Sequence, residues 1–133
     1  MAISMLAACG GGTGVPLSPS SGATTAERMR PSITYGVLYS FKGGSGDGRY
    51  PEAGLINVNG TLYGTTIEGP NGGPGTVFSI TTSGNETMLH DFPGYSGDGA
   101  FPYAGLINVN GALYGTTAGG GANHAGTVFW LKP

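Results

Sequence analysis

Two carboxylates stand in matching loops, Asp47 in Ser45-Gly46-Asp47-Gly48 and Asp98 in Ser96-Gly97-Asp98-Gly99. A carboxylate on such a loop can accept sugar hydroxyls, hold a cation, or pair with a second carboxylate for glycoside hydrolysis. Each loop offers only one, whereas calcium takes about six to eight oxygens, several of them from carboxylates. An Asp-Gly turn whose side chain caps the loop backbone accounts for the same residues. Tyr63 and Tyr114 lie in matching Leu-Tyr-Gly-Thr-Thr runs, where the ring is a stacking platform for a glycan and Thr65 and Thr116 supply hydroxyls. The competing reading packs each ring between sheets with its hydroxyl on backbone. These six residues are the candidate ligand-binding set. His90 replaces Tyr39 of the first run and His124 replaces Gly73, so neither recurs. With no serine or cysteine motif beside them and no second histidine at ligand spacing, they suggest neither a triad nor a zinc site. Glu52 and Glu68 are matched by Tyr103 and Gly119, so no glutamate pair is repeated. No catalytic residue, metal or cofactor is assigned.

The elements that must position these residues come from a repeat. Pro51 to Thr66 returns as Pro102 to Thr117 with two changes, at an offset of 51 residues. Over Val37 to Thr82 against Met88 to Pro133, 26 of 46 positions are identical, so both copies share one backbone. Each copy contains four strand-like pieces, which in the first are Gly36 to Phe41, Leu55 to Val58, Thr61 to Thr66 and Gly75 to Ile80. Asn59-Gly60 predicts a type I′ hairpin, because both turn positions need positive φ and this pair tolerates it. A second hairpin is expected at Ser83-Gly84-Asn85. Pairing Val58 with Thr61 sets Ile56 opposite Tyr63 on one face and leaves Leu55 and Leu62 on the other. Strands apolar on both sides belong to sheets stacked between sheets, the condition of a propeller blade. The expected fold is all-β, two tandem four-stranded antiparallel β-propeller-like blades, covering 35–85 and 86–133. Two blades do not close a ring of the usual four to eight, so the chain is expected to be a fragment of a longer array, a protomer that completes the ring as a homo-oligomer, or a compact two-sheet sandwich.

Composition agrees. The 133 residues include 28 Gly and 9 Pro, which favour strands and tight turns over helices. Charged residues are 9% of the chain and the net charge is −2, which argues against nucleic acid as a partner. The single cysteine, Cys9, excludes an intrachain disulfide. Residues 1–9 end in Leu6-Ala7-Ala8-Cys9-Gly10, which resembles a shortened lipoprotein lipobox and makes Cys9 the lipidation candidate. Residues 10–34, rich in Gly, Ser, Thr and Pro, read as a flexible tether. Membrane attachment is expected only through such a lipid anchor.

The combination of Leu38-Tyr39-Ser40-Phe41, Asp47-Gly48, Ala53-Gly54-Leu55, Leu62-Tyr63-Gly64-Thr65-Thr66 and Gly75-Thr76-Val77-Phe78 resembles the GloVer tandem-repeat family of bacterial secreted proteins. The resemblance covers Tyr35 to Pro133. It implies propeller-like repeats, often with a surface-anchoring signal, and carries over no catalytic residue or ligand. The kelch repeat is a more general analogue, with paired glycines such as Gly119-Gly120 after a strand. The expectation is therefore a surface-exposed or secreted interaction or carbohydrate-binding scaffold whose partner is a glycan or a surface protein. The alternatives are a polysaccharide-active hydrolase or lyase built on Asp47 and Asp98, and a purely structural assembly module.

Overall fold

The computed structural model describes residues 31–94 and 97–133. Cys9, the lipobox-like segment and most of the tether lie outside them. The two repeats lie in one compact unit, Gly36–Pro133.

The described residues form short strands joined by turns and irregular segments. The first sheet holds β1 (Ile56–Val58), β2 (Thr61–Thr66), β3 (Thr76–Thr81) and β4 (Glu86–Asp91), all antiparallel and in chain order. A two-residue ladder joins β5 (Gly99–Ala100) to β8 (Gly119–Gly120). The last sheet has β6 (Ile107–Val109), β7 (Ala112–Thr117) and β9 (Thr127–Leu131). The only helical piece among the described residues is the 3-10 turn at Pro70–Gly72. Among the described residues no sheet closes on itself.

Local chemistry sets these elements. Asn59 and Gly60 both have positive φ, 52° and 87°, as do Asn110 and Gly111 at 51° and 85°. That is the expected type I′ geometry, and the Asn57 and Asn108 carboxamide oxygens accept the Gly60 and Gly111 amides at 2.9 Å. The turn fixes the register, with Val58 opposite Thr61 and Ile56 opposite Tyr63, and Val109 opposite Ala112 and Ile107 opposite Tyr114. Strands β2 and β3 are stitched by a hydroxyl pair. Thr66 Oγ1 donates to the Glu68 carbonyl at 2.9 Å and therefore accepts from Thr76 Oγ1 at 2.7 Å. Thr117, Gly119 and Thr127 repeat the arrangement. Gly64 is small for a packing reason, since a Cβ there would lie 2.7 Å from both Leu55 and the Phe78 ring.

Two expectations about the strands are corrected. Gly36 to Phe41 forms no strand, and the last sheet has three strands rather than four. Both differences have one cause. The counterpart of Gly36–Phe41 in the second repeat lies in β4, and β4 pairs backward with β3 of the first sheet. The strand type that opens each sequence repeat thus closes the preceding sheet. Among the described residues, Gly36–Phe41 follows no such sheet and β9 receives no strand on its outer edge.

The core lies between the two sheets. Ile56, Val58, Tyr63 and Val77 on one face of the first sheet meet Phe92, Leu106, Leu113, Phe129 and Leu131 of the second repeat. The Phe92 and Phe129 rings meet edge to face at 5.2 Å, as Phe41 and Phe78 do at 5.0 Å within the first repeat. Backbone bonds cross the same junction, from the Phe92 amide to the Gly75 carbonyl and from the Phe101 amide to the Pro74 carbonyl.

Candidate functional site

The matching aspartate loops are built alike but closed differently. Asp47 is buried, and its Oδ2 accepts both the Tyr39 hydroxyl at 3.0 Å and the Lys42 amide at 2.7 Å. Its Oδ1 is buried with no partner among the described protein atoms. At the equivalent place in the second repeat, Lys42 becomes Pro93, which has no amide hydrogen to give. Asp98 instead accepts the Gly99 amide on Oδ1 at 2.7 Å and meets His90 Nε2 with Oδ2 at 3.0 Å. His90 thus holds the position and the aspartate contact that Tyr39 holds in the first repeat, in a more exposed pair. Desolvation, then the bond to Asp47 and its negative charge, push the Tyr39 hydroxyl up to about 12. Glu86, at the start of β4, is pushed up by burial and then by the Asp47 charge, with Lys42 acting in the opposite sense.

The tyrosine and threonine candidates separate by repeat. Tyr63 is buried in the core and Thr65 donates its hydroxyl to the Pro102 carbonyl at 3.2 Å, so both serve the junction between sheets. Tyr114 is half-buried and Thr116 exposed, and they line a cavity of about 220 Å³ with Gly105, Ile107 and Val128. This lining is mostly apolar. Its first-repeat counterparts are the residues that the second repeat covers.

A second cavity of about 210 Å³ lies beside β9, lined by Leu89, His90, Asp98, Phe129 and Trp130 among others. Sequence reasoning missed Trp130 as a surface feature because it stands where the first repeat has Ser79 and so belongs to no repeated motif. A signal was available, since an aromatic replaces a polar residue on the same strand position. No group of three metal-ligating side chains occurs among the described residues. His124 lies on an exposed loop at positive φ.

A family model described as the Gloeobacter/Verrucomicrobia repeat matches residues 13–133. The chain belongs to that repeat family. The match reaches beyond the two sheets into residues 13–34. No curated protein and no solved structure matches the chain. For this member of the Gloeobacter/Verrucomicrobia repeat family, the recurring residues Gly64, Thr66, Thr76 and Val77 are engaged in the fold. What differs between repeats is which face is covered and which edge is paired.

Proposed function

We propose that this chain is a non-enzymatic, surface-exposed or secreted interaction module that binds a protein through the uncovered face of its second repeat. One observation carries the reading: Val77 is 0% exposed and its counterpart Val128 is 78% exposed. The same residue on the same backbone is core in one repeat and surface in the other. Ile107 (60%) and Trp130 (66%) join Val128 on that surface. A contiguous apolar face of this kind is characteristic of an interaction site. Its apolar lining suits a protein surface better than a glycan, which needs convergent polar groups. The sheets are read as neighbouring propeller blades, and the lipobox-like Cys9 with its tether supports a location outside the cell.

The test places a photo-crosslinking amino acid at position 128 of the full chain, in cells that make it. Adducts that mass spectrometry maps to one protein, whether a second copy or another chain, support the reading. Adducts scattered over many proteins, or none, overturn it. Trp130 beside the His90–Asp98 pair favours a second reading, carbohydrate binding, since an exposed aromatic with adjacent polar groups suits a sugar ring. That reading predicts glycan binding by calorimetry that Trp130→Ala abolishes.

A further inference from the structure

The junction between the two sheets shows what fits their two outward faces. In that junction Ile56, Tyr63 and Val77 receive Leu106, Leu113 and Phe129. Shifted by the repeat offset, the receiving residues become Ile107, Tyr114 and Val128, and the covering residues become Leu55, Leu62 and Phe78. Each repeat therefore carries one receiving face and one covering face, and among the described residues one of each takes part in a junction between sheets. The receiving face of the second repeat has Val128 at 78% exposure; on the covering face of the first, Leu55 is 53% exposed, while Phe78 is buried against Phe41.

The strand pattern gives an independent half of the same match. β4 adds to the outer edge of β3, in a ladder that opposes Thr76 to Asp91, Val77 to His90 and Phe78 to Met88. The counterpart of β3 is β9, which pairs with β7 alone among the described residues. The counterpart of the β4 segment from Thr87 to Asp91 is Gly36–Ser40, which lies in no ladder and has Val37 67% exposed. An unpaired strand edge is a template for an extended segment, with backbone bonds giving affinity and side-chain match giving selectivity. A cavity of about 210 Å³ lies along β9 next to the Asp98 loop, lined by Leu89, Phe129 and Trp130 among others.

We propose that Gly36–Ser40 of one copy of this chain adds as a fourth strand to β9 of a second copy, while the first sheet of the donor stacks on the open face of the acceptor. The proposal rests on the interaction-module reading and names its partner. The register transferred from β3 and β4 sets Thr127 opposite Ser40, Val128 opposite Tyr39 and Phe129 opposite Val37. Tyr39 need not release Asp47, because His90 holds Asp98 while pairing with Val77. Phe41 likewise stays on Phe78, as Phe92 stays on Phe129. The contact is head-to-tail, so copies either close a ring or extend as a chain, and a propeller of roughly four to eight blades needs about two to four copies.

The test uses full-length protein and two variants altered at exposed positions. One carries Val128→Asp with Ile107→Asp and lacks the receiving face. The other carries Val37→Asp with Leu55→Asp and lacks the covering one. Light scattering should find the unaltered protein at a multiple of the single-chain mass. Each variant alone should run at one chain mass with an unchanged far-ultraviolet spectrum, and their mixture at twice that mass and no more. Trp130, the sole tryptophan, should shift to the blue on mixing. A monomeric unaltered protein, self-association of either variant alone, or a mixture that stays monomeric would overturn the proposal. The broader reading survives such a result if the position-128 crosslink maps to a different protein.

Discussion

Identical substitutions at Val77 and Val128 should have unequal consequences for folding, although the two valines share one place in the repeat. Val77 is fully buried between the sheets and Val128 is 78% exposed. Truncating valine to alanine removes two methyl-sized groups, worth roughly 1.6 kcal/mol at about 0.8 kcal/mol each when burial is complete. A cavity left by that volume adds about 1 kcal/mol if the surroundings do not collapse. Val77→Ala should therefore cost about 2–3 kcal/mol, and Val128→Ala less than about 0.5 kcal/mol. Urea unfolding followed by circular dichroism, at protein concentrations low enough to keep the chain unassociated, should show the first as a midpoint shift of about 1–2 M. The second should leave the midpoint in place. Equal losses would mean that Val128 is covered in the isolated chain, which would refute the argument from unequal exposure. The same pair should reverse in rank when association is read instead of unfolding.

Further predictions follow from single contacts. Thr66→Val leaves the Thr76 hydroxyl and the Glu68 carbonyl without their partner in a buried setting, so it should lower stability by about 1–3 kcal/mol in chemical denaturation. Gly64→Ala forces a methyl into Leu55 and Phe78 and should cost about 1–3 kcal/mol by the same assay. Tyr39 has its hydroxyl pushed up from 10.0 to about 12, so the stability it contributes is complete below pH 10 and lost as pH rises toward 12. Tyr39→Phe should flatten that alkaline loss and remove a phenol titrating at about 12 from the ultraviolet absorbance titration. Glu86, pushed above its ordinary value, is destabilising in its charged form. Glu86→Gln should raise the urea midpoint at neutral pH, with the gain vanishing as pH falls below 4.5.

The turns and the pairings around them were legible in the sequence because their causes are local. Asn59-Gly60 fixes a turn type, the turn fixes the register, and the register assigns Ile56 and Tyr63 to a face before any tertiary contact is considered. Leu55 and Leu62 on the opposite side then call for stacking, and the junction of the two repeats supplies it once. What the repeat could not show was where to cut it. A period of 51 residues is the same whether a sheet begins at Gly36 or at Ile56, and only a partner chosen across the boundary distinguishes the two. That choice is nonlocal, because β4 is the opening segment of one repeat and the closing strand of the sheet before it.

The same ambiguity governed the candidate site. A repeated motif marks residues whose environment is repeated, which is a property of the fold before it is a property of any ligand. Thr66 and Thr117 recur because each stitches a strand pair, and Gly64 recurs because two side chains fill the space above it. Binding can instead appear where one repeat departs from the other, in residue or in covering. Pro93 in place of Lys42 withdraws an amide from the aspartate loop and leaves Asp98 to His90 and Gly99. Trp130 in place of Ser79 sets a large ring, 66% exposed, on a face that no described residues cover. Tyr114 and Thr116 are accessible for that second reason alone, since their counterparts Tyr63 and Thr65 differ in neighbours and not in type. A substitution that distinguishes the repeats should therefore alter association more than folding, and one at a shared buried position should do the reverse.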